Sequence, residues 1–263
     1  MRSAKSGIVT RRNAEKVAET VEFYRRNEVV STFEADRYGT ARGRLRLTLQ
    51  NDMALELMRG TADPLLEIAG GSGRFSRQFA SQKRVVTVVD ASPAMLESNR
   101  SSLGSAAAKV THLVGLAGEL PLKSESFQTL FCVDMFSHIR KPQPIVHEMA
   151  RVLRRGGHLV VNFTNRSSLM GIGATFFSNP LRRLLGRMGV YSTYHRARGF
   201  LRLIDSAGFR RLRTTGLFLI DPRLYRFEFG KKFSRRALAL ERWASRKDCP
   251  PLYEQIWVKA ERL

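Results

Sequence analysis

From about residue 64 to residue 163 the chain alternates short aliphatic and β-branched runs with stretches of helical spacing. No other feature limits its fold so tightly. The runs are "PLLEIA" (64–69), "RVVTVVD" (84–90), "VTHLVGLAG" (110–118), "FQTLFCVDMFSHI" (127–139) and "HLVVNF" (158–163). Apolar runs of this kind suit strands covered on both faces. Between them, "AMLESNRSSL" (94–103) has helical character. "PIVHEMARVLRRGG" (144–157) spaces Ile145, Met149, Val152 and Leu153 as one helix face, and Gly156–Gly157 is expected to end it. Strands alternating with helices imply βαβ units and a parallel sheet with helices on both faces.

The flanks differ from this block. Residues 1–60 read as a mainly helical cap, and 61–263 as the α/β domain. A Gly-punctuated, apolar and basic stretch at 164–200 reads as an insertion placed to cover a site. The helix "FLRLIDSAGF" and the strand "RRLRTTGLFLI" then restore the rhythm. A second insertion, 221–254, carries the basic helix "KKFSRRALALERWASRK", in which Phe233, Ala237, Leu240 and Ala244 share one face: the pattern of a helix packed inward on the sheet with a solvated cationic face, or of an interfacial helix or a lid over a lipophilic substrate. The last strand, "EQIWVKAERL", can close an antiparallel hairpin with the one near 210–220.

No stretch approaches the ~18 apolar residues of a spanning helix, and the N-terminus lacks the apolar centre of a secretory signal. The cytoplasm is the expected compartment. Cys132 and Cys249 form no metal-ligand pattern, so no metal is expected. The net charge of +22 is the anomaly. Residues 166–263 hold 21 Lys+Arg against 7 Asp+Glu, +14, whereas 51–165 hold 13 against 10, +3. Such an excess attracts nucleic acid, anionic lipid surfaces and phosphorylated substrates. A purely solubilising role is the competing reading.

The most informative stretch is "LLEIAGGSGRFSRQFA" (65–80), where an apolar run ends in an acid, breaks into glycines and resumes as a helix. Ligands of open α/β sheets sit beyond the carboxyl ends of strands, where glycines let the backbone approach closely. A GxGxxG dinucleotide fingerprint fails at Ser76, and the P-loop's Gly-Lys-Ser/Thr ending is absent. What remains, Glu67-Ile68-Ala69-Gly70-Gly71-Ser72-Gly73, resembles the first motif of class I S-adenosylmethionine-dependent methyltransferases, with Ala69 in place of its first glycine. Asp90 resembles the family acid at the end of strand two that binds the ribose hydroxyls. "S-P-x-M-L" (Ser92, Pro93, Met95, Leu96), Leu120–Pro121 and "EMARVLRRGGHLVV" match further family segments in register.

The resemblance implies a Rossmann-like, seven-stranded, mostly parallel sheet and S-adenosylmethionine as cofactor. It implies cofactor contacts from Glu67, Ala69, Gly70, Gly71, Gly73, Asp90, Ala91, Val133 and Asp134. Where the family often has an acid for the adenine amino group, this chain has Leu116, so the backbone at Ala117 and Gly118, or Glu119, is expected to serve. By position in the cap, Tyr38 or Arg42 would reach the methionine carboxylate. The end of strand four faces the methyl group in this family, which makes Asp134, Ser137 and His138 the candidates there. His138 is the candidate base, since imidazole titrates near neutrality. Tyr191, Tyr194 and His195 fall where substrate-covering residues are expected. Asp134-Met135-Phe136-Ser137 departs from the [DN]-P-P-[YFW] of nucleobase-amine enzymes. The acceptor is therefore expected to be a small molecule or lipid, methylated at oxygen or carbon, with contact to an anionic membrane as an accompanying reading. An RNA acceptor gripped by the basic flanks is the alternative, although no RNA-binding module is legible. A non-catalytic cofactor-binding module is a further one.

Overall fold

The computed structural model describes residues 20–168, 171–172, 193–219, 231–244 and 252–263. Helices α1 (Asn27–Tyr38) and α2 (Ala41–Met58) form the cap. The domain follows as β1 (Leu65–Ile68), α3 (Arg74–Ser81), β2 (Val86–Asp90), α4 (Pro93–Leu103), β3 (Val110–Val114), β4 (Phe127–Cys132), α5 (Gln143–Val152) and β5 (Leu153–Thr164). It closes with α6 (Ala197–Ser206), β6 (Phe209–Leu217), α7 (Lys231–Ala244) and β7 (Gln255–Arg262). The seven strands form one sheet in the order β3-β2-β1-β4-β5-β7-β6. β7 alone runs antiparallel to its neighbours, so β6 and β7 make the hairpin their sequences allow.

Two apolar layers sandwich the sheet. Strand side chains alternate between faces, so Leu66 and Ile68 of β1 join the layer built with Ile145, Met149 and Val152 of α5 and Phe200 and Ile204 of α6. Leu65 joins the other, with Leu49, Met53 and Leu57 of α2, Phe75 and Phe79 of α3 and Trp257 of β7. Phe131 of β4 meets Phe75 and Phe79 edge-on, with centroids 4.8 and 5.0 Å apart. Burying each such ring contributes about 1.5–3 kcal/mol. Glu67 shares the α3-facing side of β1 with Leu65, which decides its environment below.

Three local expectations change. Strand β3 ends at Val114, because Gly115 turns the chain against Pro121, whose Cδ lies 2.7 Å from where a Cβ would sit. Helix α5 ends at Val152 rather than at Gly156–Gly157: Leu153 already pairs with Phe127, and Gly156 (φ +73°) kinks a strand instead of capping a helix. In α7, Leu240 does not share the inward face with Ala244. Glu241 and Ala244 are buried there, and Leu240 is exposed. The side chains of Phe233 and Ala237, and most of the 164–200 insertion including Tyr191, lie outside the described residues.

Candidate active site

The turn after β1 is built by tight packing. A Cβ on Gly70 would lie 2.5 Å from Val88 Cγ1, and one on Gly73 would lie 2.5 Å from Ser102 Oγ. Gly73 (φ +92°) opens α3, while Ala69 takes φ +57°, the conformation glycine adopts without strain. Gly71 differs: the nearest atom to its added Cβ would be Phe33 Cε1 of the cap, at 3.9 Å. Its missing side chain leaves the backbone open toward α1. Such an opening allows close approach of a ligand to the backbone, and Ala69, Gly70, Gly71 and Gly73 all lie along this turn.

Glu67 stands behind this turn. Only 2% exposed, its Oε2 accepts the Ser76 hydroxyl at 2.6 Å; Asn99 donates to Ser76 (2.9 Å) and shares a hydrogen bond with His112 (3.1 Å). Glu67 therefore braces the turn against α3 and α4 and does not project from it. Burial pushes its pKa up from 4.5 to about 7, although the Ser76 hydrogen bond and Arg74 pull the other way. The folded protein then binds more protons than the unfolded chain between these values, so stability is greatest below 4.5 and falls as pH rises to about 7. A shift of that size corresponds to roughly 3 kcal/mol. Glu67→Gln keeps an acceptor for Ser76 and should abolish this loss. Urea unfolding at about pH 5 and about pH 8 measures it, and an unchanged slope in the variant would show that other groups carry it.

Asp90, at the end of β2, lies directly beside the turn. Its Oδ2 accepts from the Gly71 N–H (3.1 Å) and its Oδ1 from the Ser92 N–H (2.9 Å). Burial raises its pKa while these backbone donors lower it. A carboxylate has about four lone-pair sites, so it retains acceptor capacity for a vicinal diol. Ser92 caps α4 through the Met95 N–H, and its hydroxyl donates to the Tyr24 carbonyl at 2.7 Å. The cap is thereby tied to the end of β2. Glu34 of α1 adds a second tie, accepting from Ser72 and Arg77, both at 2.9 Å. Ala91 is half-buried beside Asp90, and Ala117 and Gly118 lie in the turn closed by the Glu119 N–H on the Leu116 carbonyl (3.0 Å). Leu116 itself is 48% exposed at the rim.

At the end of β4, after buried Val133, Asp134 anchors a polar cluster. Its carboxylate accepts from Gln50 (3.1 and 3.2 Å), Gln255 (3.0 Å) and Asn162 (3.2 Å). Arg46 and Arg74 approach it at 3.8 and 3.7 Å. Burial alone would raise its pKa, but Arg46, Arg74 and Arg37 hold it well below the usual carboxylate range. Arg74 also donates to Gln50 (2.7 Å) and to the Tyr38 hydroxyl (2.8 Å). Tyr38 is thus joined to the cluster through Arg74. The cap arginine that reaches Asp134 is Arg46, one helical turn beyond Arg42. Arg46, Gln50, Arg74, Asn162 and Gln255 carried no motif signal except Arg74, which adjoins the glycines.

His138 ends the 3₁₀ turn Phe136–His138, with Nε2 3.5 Å from the Tyr24 hydroxyl and the two rings edge-on at 5.8 Å. Ser137 donates to the Asp134 carbonyl (2.7 Å). His195 is not a covering residue. It is buried against Phe163 and Phe200, and its Nε2–H donates to the Phe136 carbonyl at 2.9 Å. Burial lowers its pKa. It pins residues 193–195 to the turn, where the Thr193 N–H meets the Ser137 carbonyl at 2.6 Å. Tyr194 lies near Arg46. The ends of β1, β2 and β4 thus converge under the cap, with Tyr24 between Asp90 and His138.

A family model described as a methyltransferase domain matches residues 66–161, the stretch that holds the glycine turn, Asp90, Asp134 and His138. Together with the relatives below, this match indicates a class I S-adenosylmethionine-dependent methyltransferase domain over that stretch. It is similar to a ubiquinone biosynthesis O-methyltransferase of Xylella fastidiosa, 27% identical over 165 residues, or 62% of this chain and 64% of the relative. The chain thus spans just under two thirds of that relative's length. The methyltransferase fold also aligns with magnesium protoporphyrin IX methyltransferase of Synechocystis, with TM-score 0.64, 13% identity, and coverage of 94% of this chain and 100% of the other. It aligns with geranyl diphosphate C-methyltransferase of Streptomyces coelicolor at TM-score 0.58 and 16% identity, covering 82% and 80%. At these identities the two structures show the shared fold.

Proposed function

We propose that the protein transfers the methyl group of S-adenosylmethionine to an oxygen of a small, lipophilic or anionic acceptor. The observation that carries this is the bridge made by Tyr24. Its carbonyl is held by Ser92 beside Asp90, and its hydroxyl stands 3.5 Å from His138 Nε2, so one residue spans the ribose-type acid and the candidate base. The glycine turn and Asp90 fit the cofactor. Asp90 would hold the ribose hydroxyls, and the open backbone at Gly71 would face the methionine portion. The cofactor supplies an electrophilic methyl group on a sulfonium. Tyr24 meets His138, Phe33 faces Gly71 and Tyr38 bonds Arg74, and positioning with water removed lowers most of the barrier in such a transfer. The O-methyltransferase relative supports oxygen as the acceptor atom, and His138 would take the proton released.

The test follows label from methyl-labelled cofactor into a fractionated extract. Label is expected in the organic-soluble, small-molecule fraction, and label in RNA would replace this reading with an RNA methyltransferase. Asp90→Ala should weaken cofactor binding by about 1.5–3 kcal/mol, the scale of hydrogen bonds to a charged group, and transfer should fall in parallel at low cofactor. Calorimetry showing wild-type affinity would remove Asp90 from the ribose role.

A further inference from the structure

Helix α7 presents an outer face that the cofactor site does not use. Residues 231–247 carry seven Lys/Arg and a single acid, Glu241. That acid is turned inward: fully buried, it accepts from the Phe218 and Leu219 N–H groups at 3.1 and 3.2 Å. The Tyr253 hydroxyl donates to the Ala244 carbonyl (2.5 Å), and Arg242 pairs with Asp52 of α2 at 2.7 Å, which fixes the rotation of the helix. Arg236, Ala239, Leu240 and Trp243 follow at i, i+3, i+4 and i+7, so they share one face, and all four are exposed. Leu240 is 40% and Trp243 59% exposed.

A tryptophan and a leucine held outward beside arginine, on a helix whose one acid points inward, match the composition of a helix lying in a lipid interface. Indole seats at the headgroup level, and cations meet anionic lipid. We propose that this face docks the protein on an anionic bilayer. It lies in the membrane plane; no helix among the described residues is long and apolar enough to cross. Charge complementarity selects the occupant: the segment is cationic and apolar at once, whereas a nucleic-acid surface has no use for an outward Leu240. The inference is independent of the acceptor's identity.

The chain contains two tryptophans, and Trp257 is fully buried. A change in indole emission on adding vesicles therefore reports Trp243. With phosphatidylglycerol-containing phosphatidylcholine vesicles, the emission should shift to the blue and the protein should co-sediment. Pure phosphatidylcholine should bind far less. Arg236→Glu should lower partitioning by roughly tenfold or more, at about 1 kcal/mol per cation near such a surface. Trp243→Ala should reduce co-sedimentation as well, with cofactor affinity unchanged in both variants as the check on folding. Unshifted emission with protein left in the supernatant would overturn the proposal. So would full binding by the Arg236→Glu, Trp243→Ala double variant, or a Trp243 response to single-stranded RNA but not to vesicles.

Discussion

Asp134→Ala should lower the unfolding free energy by about 3–5 kcal/mol, the cost of leaving buried cations without their partner. Arg46 would keep Glu254 at 3.9 Å, while the hydrogen bonds left to Arg74 go to the neutral Gln50 and Tyr38. Gln50, Asn162 and Gln255 would lose an acceptor as well. Asp134→Asn should cost less, because it keeps an oxygen but not the charge. The pH dependence has a definite sign. The folded pKa is depressed, so the contribution is complete above the unfolded value of 3.8 and is lost only as pH falls toward the lower folded one. The gap between wild type and Asp134→Asn should therefore be constant at neutral pH and shrink in acid. Urea unfolding of the three proteins measures it. A loss below about 1 kcal/mol for Asp134→Ala would mean that the cluster is screened like a surface ion pair.

This cluster also shows what the amino-acid order could and could not reveal. Glu67, the glycines and Asp90 are legible because the turn is local. Strand, turn and helix lie within one βαβ unit, and the packing that demands Gly70 and Gly73 comes from the next strand and helix. Asp134 is legible too, as the acid within the apolar run that supplies β4. Its partners are not. Gln50 lies 84 residues before it and Gln255 lies 121 after it, and an isolated glutamine in an amphipathic helix or strand has no spacing that marks it as a ligand. The fold alone joins them, by placing α2 and β7 against the end of β4. His195 illustrates a different limit. The residue type suggests chemistry, but its direction depends on Phe163 and Phe200, which draw the ring inward to the Phe136 carbonyl. Leu240 is a third case: the helix pattern grouped it with Ala244, but Glu241, buried and bonded to the chain after β6, sets the rotation so that Leu240 is exposed.

His138→Ala should lower kcat by roughly 10²–10⁴-fold, the range for loss of a positioned general base, while leaving cofactor affinity close to wild type. A hydroxyl that becomes an ether must surrender its proton. Ser137 is committed to the Asp134 carbonyl, and Asp134 is held ionised by Arg46, Arg74 and Arg37 with a pKa far too low to accept a proton efficiently. His138 is the remaining candidate at the end of β4. The Tyr24 hydroxyl at its Nε2 marks a position where an acceptor oxygen could stand in hydrogen-bond reach. Separate measurement of kcat and of cofactor affinity distinguishes the roles. If both fall together, His138 supports the pocket through its contact with Tyr24. If kcat is undiminished, the acceptor reaches the site already ionised or reacts through carbon, and no base is needed at this turn. A pH profile adds a further readout: a base at His138 predicts a limb in which kcat/KM of the wild type rises with pH, and that limb should vanish in His138→Ala while cofactor affinity persists.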